Sequence, residues 1–396
     1  MGTEHKERLF KKMNIDQIQQ QIKDHNLDGW LLYDFRGSNE IACQFLEIKK
    51  QLVTRRFFYW IPRDGEPVKV VHGIEKQPLA HLPGKEHAYY SWQQLHLALK
   101  ELLAGKKQIA MEYSKNAALP TVSKVDGGTL DLVRTLGVDV VSSAPLLHTP
   151  LTPHQIELHK EAAAQLDQIV DQAWSFISEH LKRGDPIDEY IVRQEILNAM
   201  DARGLETDSG PICAVNGHSA DPHYIPEKET ASSIQKGDFV LIDLWAKRAV
   251  PGSIYADICR VAVCDVKPTE KQKEVFSIVR KAQKTACELV KKPRALMGWE
   301  VDKAARDVIE KAGFGQNFFH RTGHSIDEKD HGDGANFDNY ETKDDRPLLA
   351  GSCFSIEPAI YLPGEFGVRL EHNIVFFNMG EVEITGGIQE EVRTLI

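Results

Sequence analysis

None of the six cysteines (Cys43, Cys213, Cys259, Cys264, Cys287 and Cys353) forms a Cys-x-x-Cys pair. In a chain of 396 residues this argues against a disulfide framework and a thiolate zinc site, and it points to reduced thiols and a cytoplasmic setting. Positive charge is also short: 48 Lys and Arg face 58 Asp and Glu, a net charge of −10. No basic stripe is available to neutralise phosphates, so nucleic acid is excluded as a partner. No uncharged apolar run reaches about eighteen residues, so no membrane-spanning helix is expected. Met1–Arg8 is charged and lacks an apolar core segment, so no secretory signal is expected. Gly2 is followed by Lys6 where myristoylation wants Ser or Thr. Neither a glycine-rich phosphate loop nor a repeat of solenoid length is present.

What is present reads as two domains. The length exceeds one ordinary core, and 42% hydrophobic with 27% charged residues is globular composition. In the first 145 residues short strands alternate with helices: a helix over Asp16–Asp24, strands at Gly29–Tyr33, Phe57–Ile61, Val68–Val71 and Gln108–Glu112, and a helix over Ser91–Leu103. That pattern predicts a small α/β domain. The loop-like stretch Leu146–Pro153 sets the boundary, giving domains 1–150 and 151–396. Beyond it, helices are expected over Gln155–Leu181, Asp188–Ala202, Glu270–Lys291 and Gly298–Ala312, with strand groups at Gly237–Asp265 and Cys353–Asn378. Thr152 before Pro153 is a helix start.

Four carboxylates interrupt the apolar strand-like runs of the second half: Asp243, Asp257, Glu357 and Glu371. Burying an ionised carboxylate costs several kcal/mol unless a cation or hydrogen bonds compensate. One such residue is ordinarily structural. Four of them, with His324 between the pairs, ask for a metal site. Each pair is separated by the same 14 positions, so each is expected on a strand–turn–strand unit, turning at Pro251-Gly252 and Pro363-Gly364. Carboxylates plus one imidazole suit Mn, Co, Zn or Fe(II) better than a structural zinc site.

Asp243, Asp257-Ile-Cys-Arg260, His320-Arg-Thr-Gly-His324, Ser355-Ile-Glu-Pro358 and Gly367-Val-Arg-Leu-Glu371 together resemble the pita-bread metallopeptidases (family M24), in the Xaa-Pro aminopeptidase and prolidase branch. The resemblance implies an α+β chain: a C-terminal pita-bread (creatinase/aminopeptidase) fold with a smaller, creatinase-N-like N-terminal α/β domain. It implies two divalent ions, manganese first, with cobalt, zinc and iron compatible. Asp243 chelates one ion, His324 with Glu357 the other, and Asp257 and Glu371 bridge both. Glu357 also shuttles the proton of a bridging water, whose hydroxide cleaves the N-terminal Xaa-Pro bond. Of the other family positions, His331 contacts the scissile carbonyl, His320 lines the pocket, and His223, with His218 as competitor, stands upstream. Arg369 is expected to brace a carboxylate as a bidentate partner. The implied partners are a peptide with proline second and a second copy of the chain.

Departures from the family pattern fall at Ser325 (usually Gly), Gly332 (usually acidic), Cys259 (usually Thr) and the loop Asp338–Arg346. Cys259 is expected to place an oxidisable thiol beside the metals. The choice between dipeptidase and aminopeptidase stays open. A methionine-aminopeptidase-like exopeptidase, a metal-free creatinase-like hydrolase and a non-enzymatic binding module are the alternatives.

Overall fold

Residues 15–48 and 53–396 are described by the computed structural model of the chain; the charged N-terminal stretch read for targeting signals lies outside them. The chain divides into two compact units, 1–148 and 149–396. No helix among the described residues is long and apolar enough to cross a membrane.

In the first unit, β1 (Gly29–Asp34) and β2 (Phe57–Pro62) are buried along their whole length. Such runs need cover on both faces. They lie central in a six-stranded mixed sheet with β3 (Val68–His72), β4 (Lys85–Tyr89), β5 (Gln108–Met111) and β6 (Asp139–Ser142), in the order β4-β3-β2-β1-β5-β6. Helices α1 (Ile15–Asp24), α2 (Glu40–Phe45), α3 (Trp92–Leu102) and α4 (Gly127–Thr135) accompany it, and one apolar cluster packs on each face. The strand expected to reach Glu112 stops at Met111. The Glu112 carboxylate is buried instead, taking hydrogen bonds from Trp30 Nε1 (2.6 Å) and Asn39 Nδ2 (2.7 Å).

The second unit opens with α5 (Pro153–Arg183), which is longer than expected because both ends are capped. Thr152 and Gln155 form a reciprocal capping box, and Gly184 closes the helix at φ 71°. After α6 (Glu189–Ala202), the short β7 (Leu205–Glu206) and β8 (Ile212–Val215) come the two long strands β9 (Phe239–Arg248) and β10 (Ala256–Val263). One face of this antiparallel pair packs on α5 and α6 through Val240, Ile242, Leu244, Ile258 and Ala262. The other face, carrying Phe239, Leu241, Val261 and Val263, joins the core built by α7 (Glu270–Val290) and α8 (Gly298–Lys311).

A second sheet, β11-β12-β15-β16, is formed by Ser325–Ile326 (β11), Ser352–Ile356 (β12), His372–Asn378 (β15) and Glu381–Thr385 (β16). Between β12 and β15 the chain makes a separate hairpin, β13 (Ala359–Leu362) and β14 (Phe366–Arg369), and β17 (Arg393–Thr394) adds to β10. Pro363-Gly364 turns this hairpin and not the strands flanking the glutamates. Glu357 therefore follows the last residue of β12 and Glu371 precedes the first of β15, so both sit at strand ends where the expectation had them inside strands. Pro358, with no N–H to donate to a ladder, stands next to Glu357 where β12 ends.

Helix α8 anchors the segment that leads to His324. Asp302 and Arg306, one turn apart and buried, pair through two 2.9 Å bonds. Arg306 then donates to the carbonyls of Phe318 (2.8 Å) and His320 (2.7 Å), while Asp302 accepts from the Thr322 amide (3.0 Å) and hydroxyl (2.8 Å). Removing one partner of a buried pair strands the other's charge. Asp302→Ala is thus expected to cost about 3–5 kcal/mol and to lower the melting temperature by roughly 6–20 °C in a unit of this size. A fall of less than about 2 °C would show that the pair anchors nothing.

Candidate metal centre

The register of β9 and β10 puts Asp243 opposite Cys259 and Asp257 opposite Trp245. Directly opposed residues share a face, so both aspartates project to the same side as diagonal neighbours. An isolated bridge pairs Glu371 with Cys259, its amide donating to the Cys259 carbonyl at 3.2 Å. Asp243, Cys259 and Glu371 thus form one row across three segments, with Asp257 beside it. Asn373 fixes the height of Asp257 by bonding its backbone N–H (3.0 Å) and carbonyl (2.6 Å).

His324 and Glu357 close the site from the other side. Gly323 lets the histidine segment lie against β12: a Cβ there would meet the Ser355 carbonyl oxygen at 2.1 Å. The Glu357 amide donates to the Thr322 carbonyl (2.7 Å), and the His324 amide donates to Ser355 Oγ (3.0 Å). Nδ1 of His324 bonds the Ser325 carbonyl (3.1 Å), which makes Nδ1 the protonated nitrogen and leaves Nε2 as the ligating atom. Nε2 lies 3.5 Å from Glu357 Oε1 and 3.8 Å from Asp257 Oδ2. Ligand atoms of Asp257, His324 and Glu371 lie within 4.8 Å of one another.

Buried oxygens Asp243 Oδ1, Asp257 Oδ1 and Glu371 Oε1 have no hydrogen-bond partner. Burial, followed by the charge of neighbouring carboxylates, pushes the Asp257 and Glu371 carboxyls well above the usual range. Burial also lifts Glu357 to about 7 and pulls the His324 imidazole well down. Orphaned hard oxygens crowded around one neutral imidazole nitrogen are a donor set that fits divalent cations.

Arg369 meets a carboxylate, but not as a bidentate partner. One of its nitrogens bonds Asp243 and another bonds the Tyr361 hydroxyl (2.9 Å). Its two acceptors lie on different strands, which spreads the fork and leaves Nε without a partner. His320 also reaches the Tyr361 hydroxyl (Nε2, 2.9 Å), and burial holds its pKa near 3. His331 stands with its ring centre 4.1 Å from that of His324; its side chain is 65% exposed, and the packing on its inner face and then the Arg321 charge lower its pKa.

His223 is exposed on the loop after β8. His218 is engaged elsewhere, bonded to the buried Glu189 (2.9 Å) and stacked on Tyr224. Cys259 is fully buried, and that burial pushes its thiol well up, so it stays a neutral neighbour of the carboxylates. All six cysteines are free.

Three contributors escaped the sequence reading. Asp330 brings a further carboxylate, 12% exposed, whose Oδ1 is buried without a partner and whose Oδ2 lies 3.7 Å from His331 Nε2. Arg321 donates from Nη2 to His331 Nδ1 at 3.1 Å. Gln283 on α7 donates one amide to two carbonyls, Ile356 (3.3 Å) and Leu370 (2.8 Å), each just ahead of a glutamate of the site. A polar residue on the apolar stripe of α7, beside Val279, Ala282 and Ala286, was the available signal for Gln283. No pattern in the polar run Asp327–Asp330 marks Asp330.

The family departures compensate one another in space. A Cβ on Gly332 would meet Ser325 Oγ at 3.0 Å and Asp327 Oδ2 at 2.9 Å, and one on Gly334 would meet Ser325 Cβ at 2.9 Å. Ser325 occupies room that the two glycines vacate. The loop Asp338–Arg346 is pinned by two buried aspartates: Asp338 accepts from the amides of Tyr340, Glu341 and Thr342, and Asp344 takes the Arg346 guanidinium.

Among known proteins, this chain is 31% identical over 233 residues to the Xaa-Pro dipeptidase of Lactobacillus helveticus, covering 59% of each chain. It is 31% identical over 239 residues to that of Pyrococcus furiosus, covering 59% of this chain and 62% of the relative. The chain thus spans about three fifths of the length of these dipeptidases. A dipeptidase structure from Mycobacterium ulcerans superposes with a TM-score of 0.66 at 23% identity, covering 96% of both chains. A prolidase from Thermococcus sibiricus superposes at 0.58 and 24%, covering 96% of this chain and 98% of the other. These likenesses show the pita-bread fold. The profile of metallopeptidase family M24 matches residues 157–376, more than half of the chain, and the protein therefore belongs to metallopeptidase family M24.

Proposed function

We propose that the chain is a divalent-metal-dependent exopeptidase that hydrolyses the bond between an N-terminal residue and a following proline. The observation that carries this reading is the grouping of Asp257, His324 and Glu371 ligand atoms within 4.8 Å, with Glu357 3.5 Å from His324, Asp243 in the same row as Glu371, and three buried carboxylate oxygens unpartnered. Membership of the M24 family and likeness to Xaa-Pro dipeptidases support it.

Asp243 would hold one ion, His324 and Glu357 the other, with Asp257 and Glu371 between them. Two divalent cations supply Lewis acidity for the scissile carbonyl and lower the pKa of a water at the site. The remaining chemistry belongs to side chains. Glu357, with its side chain 15% exposed, is the most accessible carboxylate of the five-ligand set and is steadied by Ser355 Oγ at 3.2 Å. It takes the proton of the attacking water and passes it to the departing proline nitrogen.

His331 accepts from Arg321 at Nδ1, so its Nε2–H is the free donor for the oxygen of the scissile carbonyl. Phe319 and His320, both packed against the buried Tyr361 ring, offer an aromatic wall for the pyrrolidine ring. Proline has no N–H to offer a strand-like peptidase groove, so recognition by ring contact suits it. His223 would close the same side as His331. Manganese is the ion expected at an oxygen-rich site of this kind, and a dimer is the expected assembly.

Chelator-treated protein is expected to lose hydrolysis of Ala-Pro and to regain it with manganese. Glu357→Gln should lower kcat by about 10²–10⁴-fold. Turnover that survives complete metal removal or this substitution would overturn the mechanism. Asp257→Asn should reduce bound metal from two ions per chain, as measured by elemental analysis after dialysis. Two tightly held ions in that variant would remove Asp257 from the ligand set.

A further inference from the structure

A second cavity, of about 470 Å³, lies between α7 and the segment after β16, and none of the five residues assigned to the metals lines it. That volume falls in the range of small-ligand sites, about 300–1,000 Å³. Phe276, Ile384 and Ile388 give it apolar walls. Its rim is cationic: Arg280, Lys281, Lys284 and Lys291 face only Glu288 and Glu390. Four cations against two carboxylates leave a local excess of two positive charges, in a chain whose net charge is −10.

The groups left over in the cavity are donors. Glu390 is taken by Arg280 through two bonds (2.8 and 3.1 Å), and Glu288 stands 3.9 Å from Lys284. Lys281 and Lys291 have no ion pair among the described residues. At the floor, Cys287 Sγ lies 3.0 Å from His372 Nε2, and both residues are buried. Burial pushes the Cys287 thiol up to about 12, so it keeps its proton and donates to Nε2. The N–H of the imidazole is then at Nδ1, which is buried without a partner. A buried donor in that state costs free energy that an acceptor would return.

The shape is set from both sides. Lys281, Lys284, Glu288 and Lys291 recur every three or four positions, which puts them on one face of α7 over about 15 Å. The facing segment is tied down where Arg280 grips Glu390 and where Gln389 bonds the Val261 amide (3.0 Å) and carbonyl (2.7 Å).

We propose that this cavity is a ligand site of its own, taking an organic anion with an apolar body: an acyl or aryl chain that ends in a carboxylate or a phosphate. The chain lies against Phe276, Ile384 and Ile388, and the head meets the lysines. A neutral ligand would leave the lysine charge unmatched, and a bare inorganic anion would leave the apolar walls wet. The proposal stands apart from the peptidase reading, and neither needs the other.

Calorimetric titration of the intact protein with octanoate, octyl phosphate and 1-octanol tests it. At least one of the two anions is expected to bind at one site per chain with a Kd of about 0.1–1 mM, and 1-octanol about tenfold more weakly or worse. The tighter of the two anions names the head group. Lys281→Glu combined with Lys291→Glu should weaken anion binding about tenfold or more, as should Ile388→Asp. Lys182→Glu on α5, outside the cavity, should leave it within about twofold. All four positions are exposed, and the melting temperature of each variant checks that it folds.

Binding of 1-octanol as tight as that of the anions would overturn the proposal. So would anion binding that survives both the double charge reversal and Ile388→Asp in folded protein. The absence of saturable binding by either anion up to about 10 mM would overturn it as well.

Discussion

Buried like charges repel, and the second unit is organised around holding several of them at close quarters. Asp257 and Glu371 each resist ionisation because of burial and because of the carboxylates around them. Their separation cannot be left to side-chain freedom, since relaxation would splay them apart. Each is therefore set by backbone pairing. The β9–β10 register places the aspartates, the bridge to Cys259 places Glu371, and the Thr322 carbonyl places Glu357. Arg369 supplies the protein's own positive charge at Asp243. Divalent cations would supply the rest.

That demand for rigidity explains the density of buried polar pairing behind the pocket. Asp302 and Arg306 are buried at a cost that an apolar pair would not incur. Their return is positional: four bonds to the chain between Phe318 and Thr322, which delivers His320, Arg321 and then His324. Glu189 does the same for the neighbouring loop, taking the amides of Val215 and Ser232 and the Tyr224 hydroxyl.

The carboxylates were legible in the sequence because they broke apolar runs whose burial could be read from hydrophobicity alone. Helix ends were legible where caps stood, as at Thr152 and Asp188. Asp330 and Arg321 were not, because a charged residue in a polar loop looks the same whether it faces solvent or a pocket. Arg369 was found and does meet a carboxylate, but not through the bidentate pair expected. Strand periodicity gives the face of a side chain, whereas reach across a gap to Asp243 depends on how the β13–β14 hairpin lies over β9. The Ser325 and Gly332 exchange was illegible for a similar reason: each departure makes sense only beside the other.

Gln283 ties the carbonyls ahead of Glu357 and Glu371 to one carboxamide on α7. A carboxamide is a short, flat tether. It joins both glutamate segments to the same side chain of α7. The placing of the two glutamate segments is then set partly from behind, by how α7 seats against the core. Tuning such a site for a larger or smaller ion would begin with the apolar neighbours of Gln283, several residues removed from any ligand.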